Sequence, residues 1–359
     1  MNKKISIKLK TLTPITRLVF VTLILISTLF TANQRPVRAA GNFTVNHMFS
    51  SYMVLQRDRP VPVFGRGVEG TNITVTFNGQ VKTGSVTGGK FLINLDPMSV
   101  NATSQTMTVS DGVTTVTYTD VLVGDVWLVA GQSNVLVTAD NDYQWSTVYK
   151  NDTINHGNIR IRHRSWNSWN RADTSSRTTG TFAAVGYFFA HYLNHQLNNI
   201  PVAVWQRGVG GTEIGEWTHA NGNPGNLYES EIKPDQPFAI RGVIWYQGEN
   251  ENTDAYAAAY YSNLNGLLAE WRADWGNPTM PFAIMQIHYN VDKEYAAVTR
   301  ATQLNVHLND PNTCIAMTAD FPAGGSGGWH PPYKSTPSER LARHALYVFY
   351  NRTDLYPPT

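Results

Sequence analysis

The sequence contains very little cysteine and little charge, and both shortages narrow the classes of protein to be considered. Its 359 residues include one cysteine, Cys314, so no disulfide can form within the chain. Only 15% of the residues are charged, and the formal net charge is +2. Because nucleic acids and anionic membrane surfaces attract proteins with a large basic surplus, this composition gives no reason to expect either partner.

Further absences concern metals, cofactors and membrane spans. No spacing of histidine, cysteine and acidic residues is typical of a metal site, and no cofactor is indicated. After residue 40 no segment resembles a membrane span. Cys314 lies in an apolar stretch, so we expect a small core residue and not a reactive thiol.

The first 40 residues have the pattern of a secretory signal peptide. A basic start precedes an apolar run, Leu18–Phe30, and Val37-Arg38-Ala39 supplies small residues at a cleavage-type spacing. The apolar run is too short to span a bilayer comfortably, which favours cleavage over an uncleaved anchor. We therefore expect a secreted or lumenal protein without membrane contact after cleavage.

The rest of the chain divides into two parts. Residues 41–120 contain short alternating runs separated by glycine turns such as Asn78-Gly79, which predicts a small all-β, sandwich-like domain. In residues 121–359 strand-like runs alternate with helical patterns, which predicts an α/β domain with a parallel sheet between helices. The polar segment 141–181 is expected to be a long loop over the site. The predicted strands are 126–130, 202–205, 242–246, 282–287 and 314–318, and the predicted helices are 182–197, 255–271, 296–308 and 339–350.

A candidate nucleophile follows the first of these strands. The apolar run Val126–Ala130 predicts a buried strand, after which Ser133 stands between two amides, Gln132 and Asn134. A residue at the carboxyl end of a parallel strand lies where open α/β sheets place their chemistry. Its backbone N–H would lie in the first turn of a helix, where it can stabilise a developing negative charge. We therefore expect Ser133 to be a nucleophile.

Three later strand ends carry groups that suit the same chemistry. Gly210 and Gly211 offer backbone N–H groups, Gln247 and Glu249 present an amide with a carboxylate, and His330 follows a glycine-rich loop. Singly, each has a simpler explanation: paired glycines usually form turns, and one histidine among ten is usually structural. Their joint placement at successive strand ends of one sheet favours a catalytic site.

Together these blocks resemble the sialate O-acetylesterase group of the SGNH (GDSL-like) hydrolases. The resemblance covers nearly the whole chain after residue 40, and the motifs are specific as an ensemble. It implies a three-layer, flavodoxin-like α/β/α hydrolase domain and a secreted enzyme that removes O-acetyl groups from sugars, sialic acid first. The matching residues are Gly131–Asn134, Val209–Ile214, Trp217, Trp245–Glu249, Trp329–Pro331, Lys334, Arg340-Leu341, Met48–Ser50 and Met53–Arg57.

The resemblance also implies roles for individual residues. Ser133 would attack the acetyl ester, and His330 would remove its proton as general base. The oxyanion would be stabilised by the backbone N–H of Ser133, that of Gly210 or Gly211, and the Gln247 amide, each worth roughly 2.7–4 kcal/mol. Three further residues are expected to support the site without reacting: Gln132, Asn134 and Glu249.

Two departures from the family pattern leave alternatives open. Many SGNH enzymes have an aspartate three residues before the histidine, where this chain has Gly327. Either Asp320 folds back to complete a triad with His330, or a backbone carbonyl orients the histidine in a dyad. The family also often continues into more β structure beyond the point where this chain stops, at Thr359, so the chain is either a short member or an incomplete one.

Aromatic and cationic residues suggest contacts with a sugar. Trp166, Trp217 and Trp329 could stack on sugar rings, although Trp217 also suits the core. Arg207 or Arg164 could bind the carboxylate of a sialic acid.

Three alternative functions remain open, and the oligomeric state is not indicated. The substrate could be acetylated xylan. The chain could also be a glycan-binding protein without catalysis, since Gly327 replaces the expected aspartate. A lipase or peptidase is less favoured, because Ser133 does not lie in a Gly-x-Ser-x-Gly elbow.

Overall fold

A computed structural model describes residues 43–149, 156–173, 177–289, 294–322 and 329–355. The predicted signal peptide lies outside the described residues. Among the helices of the described residues, none combines the length and the apolar character needed to cross a membrane. The strands are β1 (Phe43–Val45), β2 (Val54–Gln56), β3 (Val61–Gly67), β4 (Asn72–Phe77), β5 (Gln80–Ser85), β6 (Lys90–Leu95), β7 (Asn101–Ser110), β8 (Thr115–Gly131), β9 (Ile159–Arg162), β10 (Asn170–Arg171), β11 (Val202–Gly208), β12 (Gly242–Tyr246), β13 (Phe282–Met285) and β14 (Thr313–Ala316). The helices are α1 (Ser133–Leu136), α2 (Arg177–Gly180), α3 (Ala184–Gln196), α4 (Asp254–Asp274), α5 (Glu294–Asn309) and α6 (Ser335–Phe349).

The first seven strands form the β-rich front of the molecule. Strands β1, β3 and β6 make a three-stranded antiparallel sheet, and β4 pairs antiparallel with both β5 and β7. Along β4 and β6, buried and exposed residues alternate, because successive side chains of a strand point to opposite faces. The alternation that predicts β structure in residues 41–120 therefore corresponds to strands with one buried face.

Strand β8 belongs both to this front and to the main sheet. Its first part pairs antiparallel with β7 and parallel with β2, and its second part lies between β11 and β12. The twelve residues from Asp120 to Gly131 are all buried, as expected for a strand that is covered on both faces. Residue 120, where the sequence predicts a domain boundary, lies inside this strand, and the described residues belong to one compact unit.

The main sheet follows the order β10-β9-β11-β8-β12-β13-β14. All its neighbours on this path pair in parallel except β10, which is antiparallel to β9. Trp127 and Val129 pack with side chains of α3 and α6 on one face, whereas Val126 and Leu128 pack with those of α4 on the other. The predicted three-layer α/β/α architecture is confirmed.

The segment 141–181 is not one long loop, which corrects that expectation. Its described residues contain β9 and β10, and Arg160 and Arg162 of β9 are each only 2% exposed. Charged residues normally indicate solvent-facing positions, so a buried strand is not predicted from this part of the sequence. Arg160 is tolerated there because Asp120 pairs with it at 3.1 Å. Cys314 is free and buried in β14, which confirms its predicted place in the core.

Candidate active site

Ser133 begins α1 directly after β8 ends. Gly131 has a φ of +139°, and a Cβ there would lie 2.0 Å from the carbonyl oxygen of Tyr246. Only glycine therefore permits this close approach of β8 to β12. The N–H of Gln132 then donates to the same Tyr246 carbonyl at 3.1 Å. The Ser133 hydroxyl lies as a result at the carboxyl edge of the parallel sheet, where ligands bind in open α/β folds.

The structure brings Ser133 and His330 together, although they lie 197 positions apart in the chain. Nε2 of His330 lies 2.8 Å from Oγ of Ser133. Partial burial, and secondly the charge of Lys334, lower the pKa of His330 below its ordinary value of 6.5. A lowered pKa keeps the imidazole neutral near pH 7, so it can accept a proton from the serine hydroxyl.

The loop after β11 packs against Ser133. A Cβ on Gly210 would lie 3.6 Å from the Ser133 Cβ, so the Gly210 backbone lies close to the serine. Gly211 has a φ of +70°, a left-handed conformation that favours glycine. The N–H of Val209 donates to the Gly131 carbonyl at 3.1 Å and fixes the start of the loop. Gly210, one of the predicted oxyanion donors, therefore lies near the serine, and the donor role of this loop stays a prediction.

Gln247 does not serve as the expected oxyanion donor, because other acceptors occupy its amide. Its Nε2 donates to the Thr212 carbonyl at 3.1 Å and to the Glu251 carboxylate at 2.8 Å. Glu251 also accepts the N–H of Ile214 at 2.8 Å, and burial raises the pKa of Glu251 to about 7. Gln247 and Glu251 thus hold the glycine loop in place. No motif in the sequence distinguishes Glu251, which lies four residues after Gln247 in the loop between β12 and α4.

Gln132 supports the site as expected from its position beside Ser133. It is 3% exposed, and its Oε1 accepts the N–H groups of Gly248 at 3.2 Å and Asn250 at 3.3 Å. One side chain thereby fixes the loop after β12 to the serine turn.

Asn134 links the serine turn to the histidine segment. Its Nδ2 donates to the Trp329 carbonyl at 2.9 Å and to the Glu249 carboxylate, and its Oδ1 accepts from Lys334 Nζ at 2.5 Å. Burial raises the pKa of Glu249 to about 7 and lowers that of Lys334 to about 7. Asn134 and Glu249 therefore support the site without contacting the Ser133 hydroxyl. Lys334 matches a family block, but the sequence assigns it no role.

Asp320 does not complete a triad in this structure, which corrects the first of the two alternatives for His330. Its carboxylate lies 2.7 Å and 2.9 Å from Nη1 of Arg340, and its side chain is 53% exposed. Among the described residues, no hydrogen bond joins Asp320 to His330. The aspartate forms a surface ion pair instead.

Asp320→Asn is expected to change kcat by less than about threefold, because Asp320 binds Arg340 and not His330. Loss of a carboxylate that orients a catalytic histidine would instead lower kcat by about 10,000-fold. The exposed pair with Arg340 contributes about 0–1 kcal/mol to stability. The measurement is acetate release by the variant and the wild type across pH 5–9, an interval chosen around the ordinary histidine pKa. If kcat fell by several hundredfold or more, Asp320 would have to be assigned to a catalytic triad after all.

Trp217 is a core residue, which corrects its expected contact with the sugar. It is fully buried, donates from Nε1 to Thr212 Oγ1 at 3.1 Å and packs edge-on against Trp245 at 5.9 Å. Trp166 and Trp329 are half-buried. Sugar stacking by these two side chains stays a prediction.

Arg207 is also a structural residue and not a substrate contact, which corrects a second expectation. It is 7% exposed and binds the Asp235 carboxylate at 2.8 Å and 3.1 Å and the Glu231 carbonyl at 3.0 Å. Arg164 is more exposed, and it binds the Glu231 carboxylate at 2.5 Å and the Gly208 carbonyl at 2.9 Å. Neither guanidinium is free in this arrangement to bind a substrate carboxylate.

These contacts define a site suited to acyl transfer. A serine hydroxyl and an imidazole of lowered pKa are in contact at one edge of the sheet, and the Gly210 backbone lies close to the serine. Within the ranges that the structure describes, no group of three or more histidine, cysteine and acidic side chains could hold a metal ion. The fold with this pair of side chains is that of an SGNH-type α/β hydrolase.

Similar proteins identify the family more closely. A family model described as "Carbohydrate esterase, sialic acid-specific acetylesterase" matches residues 123–335. The chain is 26% identical over 426 residues to the sialate O-acetylesterase of Rattus norvegicus, which covers 89% of this chain and 76% of that protein. For the sialate O-acetylesterase of Homo sapiens the identity is 26% over 393 residues, with 89% and 73% covered.

A solved structure agrees with these relatives. The crystal structure of a carbohydrate acetylesterase from Xanthomonas citri is 29% identical, has a TM-score of 0.77, and covers 87% of this chain and 76% of that chain. The protein belongs to the carbohydrate esterase family of sialic acid-specific acetylesterases and is an ester hydrolase.

Proposed function

We propose that this protein hydrolyses O-acetyl esters of sialic acids with Ser133 as nucleophile. The observation that carries the mechanism is the 2.8 Å contact between Ser133 Oγ and His330 Nε2 at the carboxyl edge of the sheet. The family model and the two sialate O-acetylesterases support the choice of substrate.

The reaction proceeds in two acyl-transfer steps. Ser133 Oγ attacks the acetyl carbonyl carbon while His330 Nε2 takes the hydroxyl proton. The N–H groups of Ser133 and of Gly210 or Gly211 stabilise the resulting oxyanion. The carbon–oxygen bond to the sugar then breaks, and the imidazolium returns the proton to the departing sugar hydroxyl. In the second step His330 deprotonates a water molecule that attacks the acetyl-serine, and acetate leaves as Ser133 regains its proton.

The substrate is tested by direct competition between acetylated sugars. We expect O-acetylated sialic acids to be deacetylated with a kcat/KM at least about tenfold above that for acetylated xylo-oligosaccharides, which corresponds to about 1.4 kcal/mol in the transition state. Mass spectrometry of both sugars after incubation with the wild type measures the loss of acetyl groups.

Two outcomes of this experiment contradict the proposal. A preference for the xylo-oligosaccharides would place the protein among acetylxylan esterases. Retention of glycans by the wild type without acetate release would make it a glycan-binding protein.

A further inference from the structure

A buried lysine side chain binds Asn134, the residue that follows Ser133. Lys334 is 1% exposed, and its Nζ lies 5.2 Å from the ring centroid of Tyr246 and 2.5 Å from Asn134 Oδ1. A buried ammonium group is unfavourable unless it is paired and hydrogen-bonded, and a shorter or apolar side chain at this position would avoid that cost. The position of this lysine therefore calls for an explanation in terms of its neighbours.

The asparagine that accepts this hydrogen bond joins the two segments that carry the reactive side chains. Asn134 follows Ser133 in the chain, and Trp329 precedes His330. One N–H of the Asn134 amide donates to the Trp329 carbonyl at 2.9 Å. The orientation of this amide therefore fixes the backbone next to the histidine relative to the backbone next to the serine.

The position of Lys334 is itself fixed by the start of α6. Its backbone N–H donates to Asp142 Oδ2 at 2.7 Å, and the N–H of Ser335 donates to the same oxygen at 2.9 Å. The Ser338 hydroxyl donates to the Lys334 carbonyl at 2.5 Å. These contacts fix the Lys334 backbone at the start of α6, and from there its side chain reaches the asparagine amide.

Besides the Tyr246 ring, two carboxylates and two histidines interact with the ammonium group of Lys334. Burial lowers its pKa, and the carboxylates of Glu249 and Asp142 raise it. His330 and His288 have lowered pKa values, mainly because of burial, and the charge of Lys334 contributes to both. The charge of Lys334 and its hydrogen bond to Asn134 therefore act on the same histidine in two different ways.

We infer that Lys334 is a positioning residue that, through Asn134, holds the Trp329–His330 segment against Ser133. In a triad, a carboxylate bonded to the histidine orients the ring; here the backbone of the histidine segment is fixed instead, by an ammonium acting through an amide. The inference rests on the proposed function, because it takes His330 as the general base of the hydrolysis.

The test compares Lys334→Met, which removes the charge and the hydrogen bond, with Lys334→Arg, which keeps a cation and a donor. Lys82→Met is the matched control, since Lys82 is 35% exposed and pairs with Asp96 on the β-rich front. Two quantities are measured for each protein: kcat and KM for an acetyl ester, and the pKa of His330 by NMR titration. The His330 resonance is assigned by its loss in His330→Gln.

Lys334→Met is expected to lower kcat by about 10- to 100-fold, as for a small misplacement of a catalytic group. KM should change little, and the pKa of His330 should rise because a nearby positive charge is lost, so the acidic limb of the rate profile moves to higher pH. Lys334→Arg should recover most of kcat and keep the lowered pKa. Lys82→Met should match the wild type in both quantities.

A wild-type kcat in Lys334→Met, or a lower kcat with an unchanged pKa of His330, would overturn the inference. If that variant fails to fold, Asn134→Ala decides, because it removes the amide that joins Lys334 to the Trp329 carbonyl; a wild-type kcat in that variant would overturn the inference. The titration needs no turnover, so its result is independent of the proposed hydrolysis, which Ser133→Ala tests separately.

Discussion

Ser133→Ala is expected to lower kcat for acetyl-ester hydrolysis by about 10⁴- to 10⁶-fold, because it removes the atom that forms the acyl-enzyme bond. The substitution deletes one oxygen and leaves the backbone N–H groups of the turn in place. Thermal unfolding should therefore be nearly unchanged, and substrate should still bind. The measurement is acetate release under saturating substrate, with the unfolding midpoint recorded for both proteins.

A double variant tests whether Ser133 and His330 act together in one reaction step. Groups that act as one unit are not additive, so Ser133→Ala/His330→Ala should be no slower than Ser133→Ala by more than about threefold. An independent role for the imidazole would instead multiply the two losses. Equal rates for Ser133→Ala and the wild type would show that the serine is not the nucleophile.

The largest loss of stability is expected from Arg207→Met, at about 3–5 kcal/mol of the free energy of unfolding. The substitution leaves the carboxylate of Asp235 buried, with a relative exposure of 1% and without its guanidinium partner. His47, at 2.9 Å from the same carboxylate, compensates only in part because it is itself half-exposed. Urea denaturation at neutral pH measures the change.

A matched control and the KM value distinguish the structural role of Arg207 from a substrate contact. Arg340→Met breaks the exposed pair with Asp320 and should cost about 0–1 kcal/mol. Measured below its unfolding temperature, Arg207→Met should keep the KM of the wild type for a sialic acid substrate. If Arg207→Met raised KM tenfold without losing stability, Arg207 would have to be assigned a contact with the substrate.

Strongly patterned elements could be predicted from the sequence with good bounds. The strand predicted at 242–246 is β12, and the helix predicted at 255–271 is α4, which extends to Asp254–Asp274. The helix is long enough to show a clear helical pattern, and the strand is a short, uniformly apolar run, so both are recognisable in the sequence. Strand β9 could not be predicted, because the charged residues Arg160 and Arg162 normally indicate exposed positions, and the carboxylate that pairs with Arg160, Asp120, is distant in the chain.

Residue types and their places at strand ends predicted which residues belong to the site, but not which partners they contact. The proximity of Ser133 and His330 was implied by the family resemblance, since periodicity does not reveal strand order between residues 197 positions apart. Arg207 and Gln247 suit a ligand as well as they suit a buried partner. Which partner each takes is decided by tertiary packing, and for both it is a carboxylate, Asp235 or Glu251.

The continuity of β8 has a consequence for how this protein can be divided. Removing the front seven strands would strip the paired edges from the first half of β8, while its second half would still form the middle of the hydrolase sheet. A shortened version beginning near residue 115, where β8 starts, would therefore expose unpaired backbone groups that promote aggregation. Any attempt to graft the esterase module onto another scaffold should carry the entire β-rich front with it.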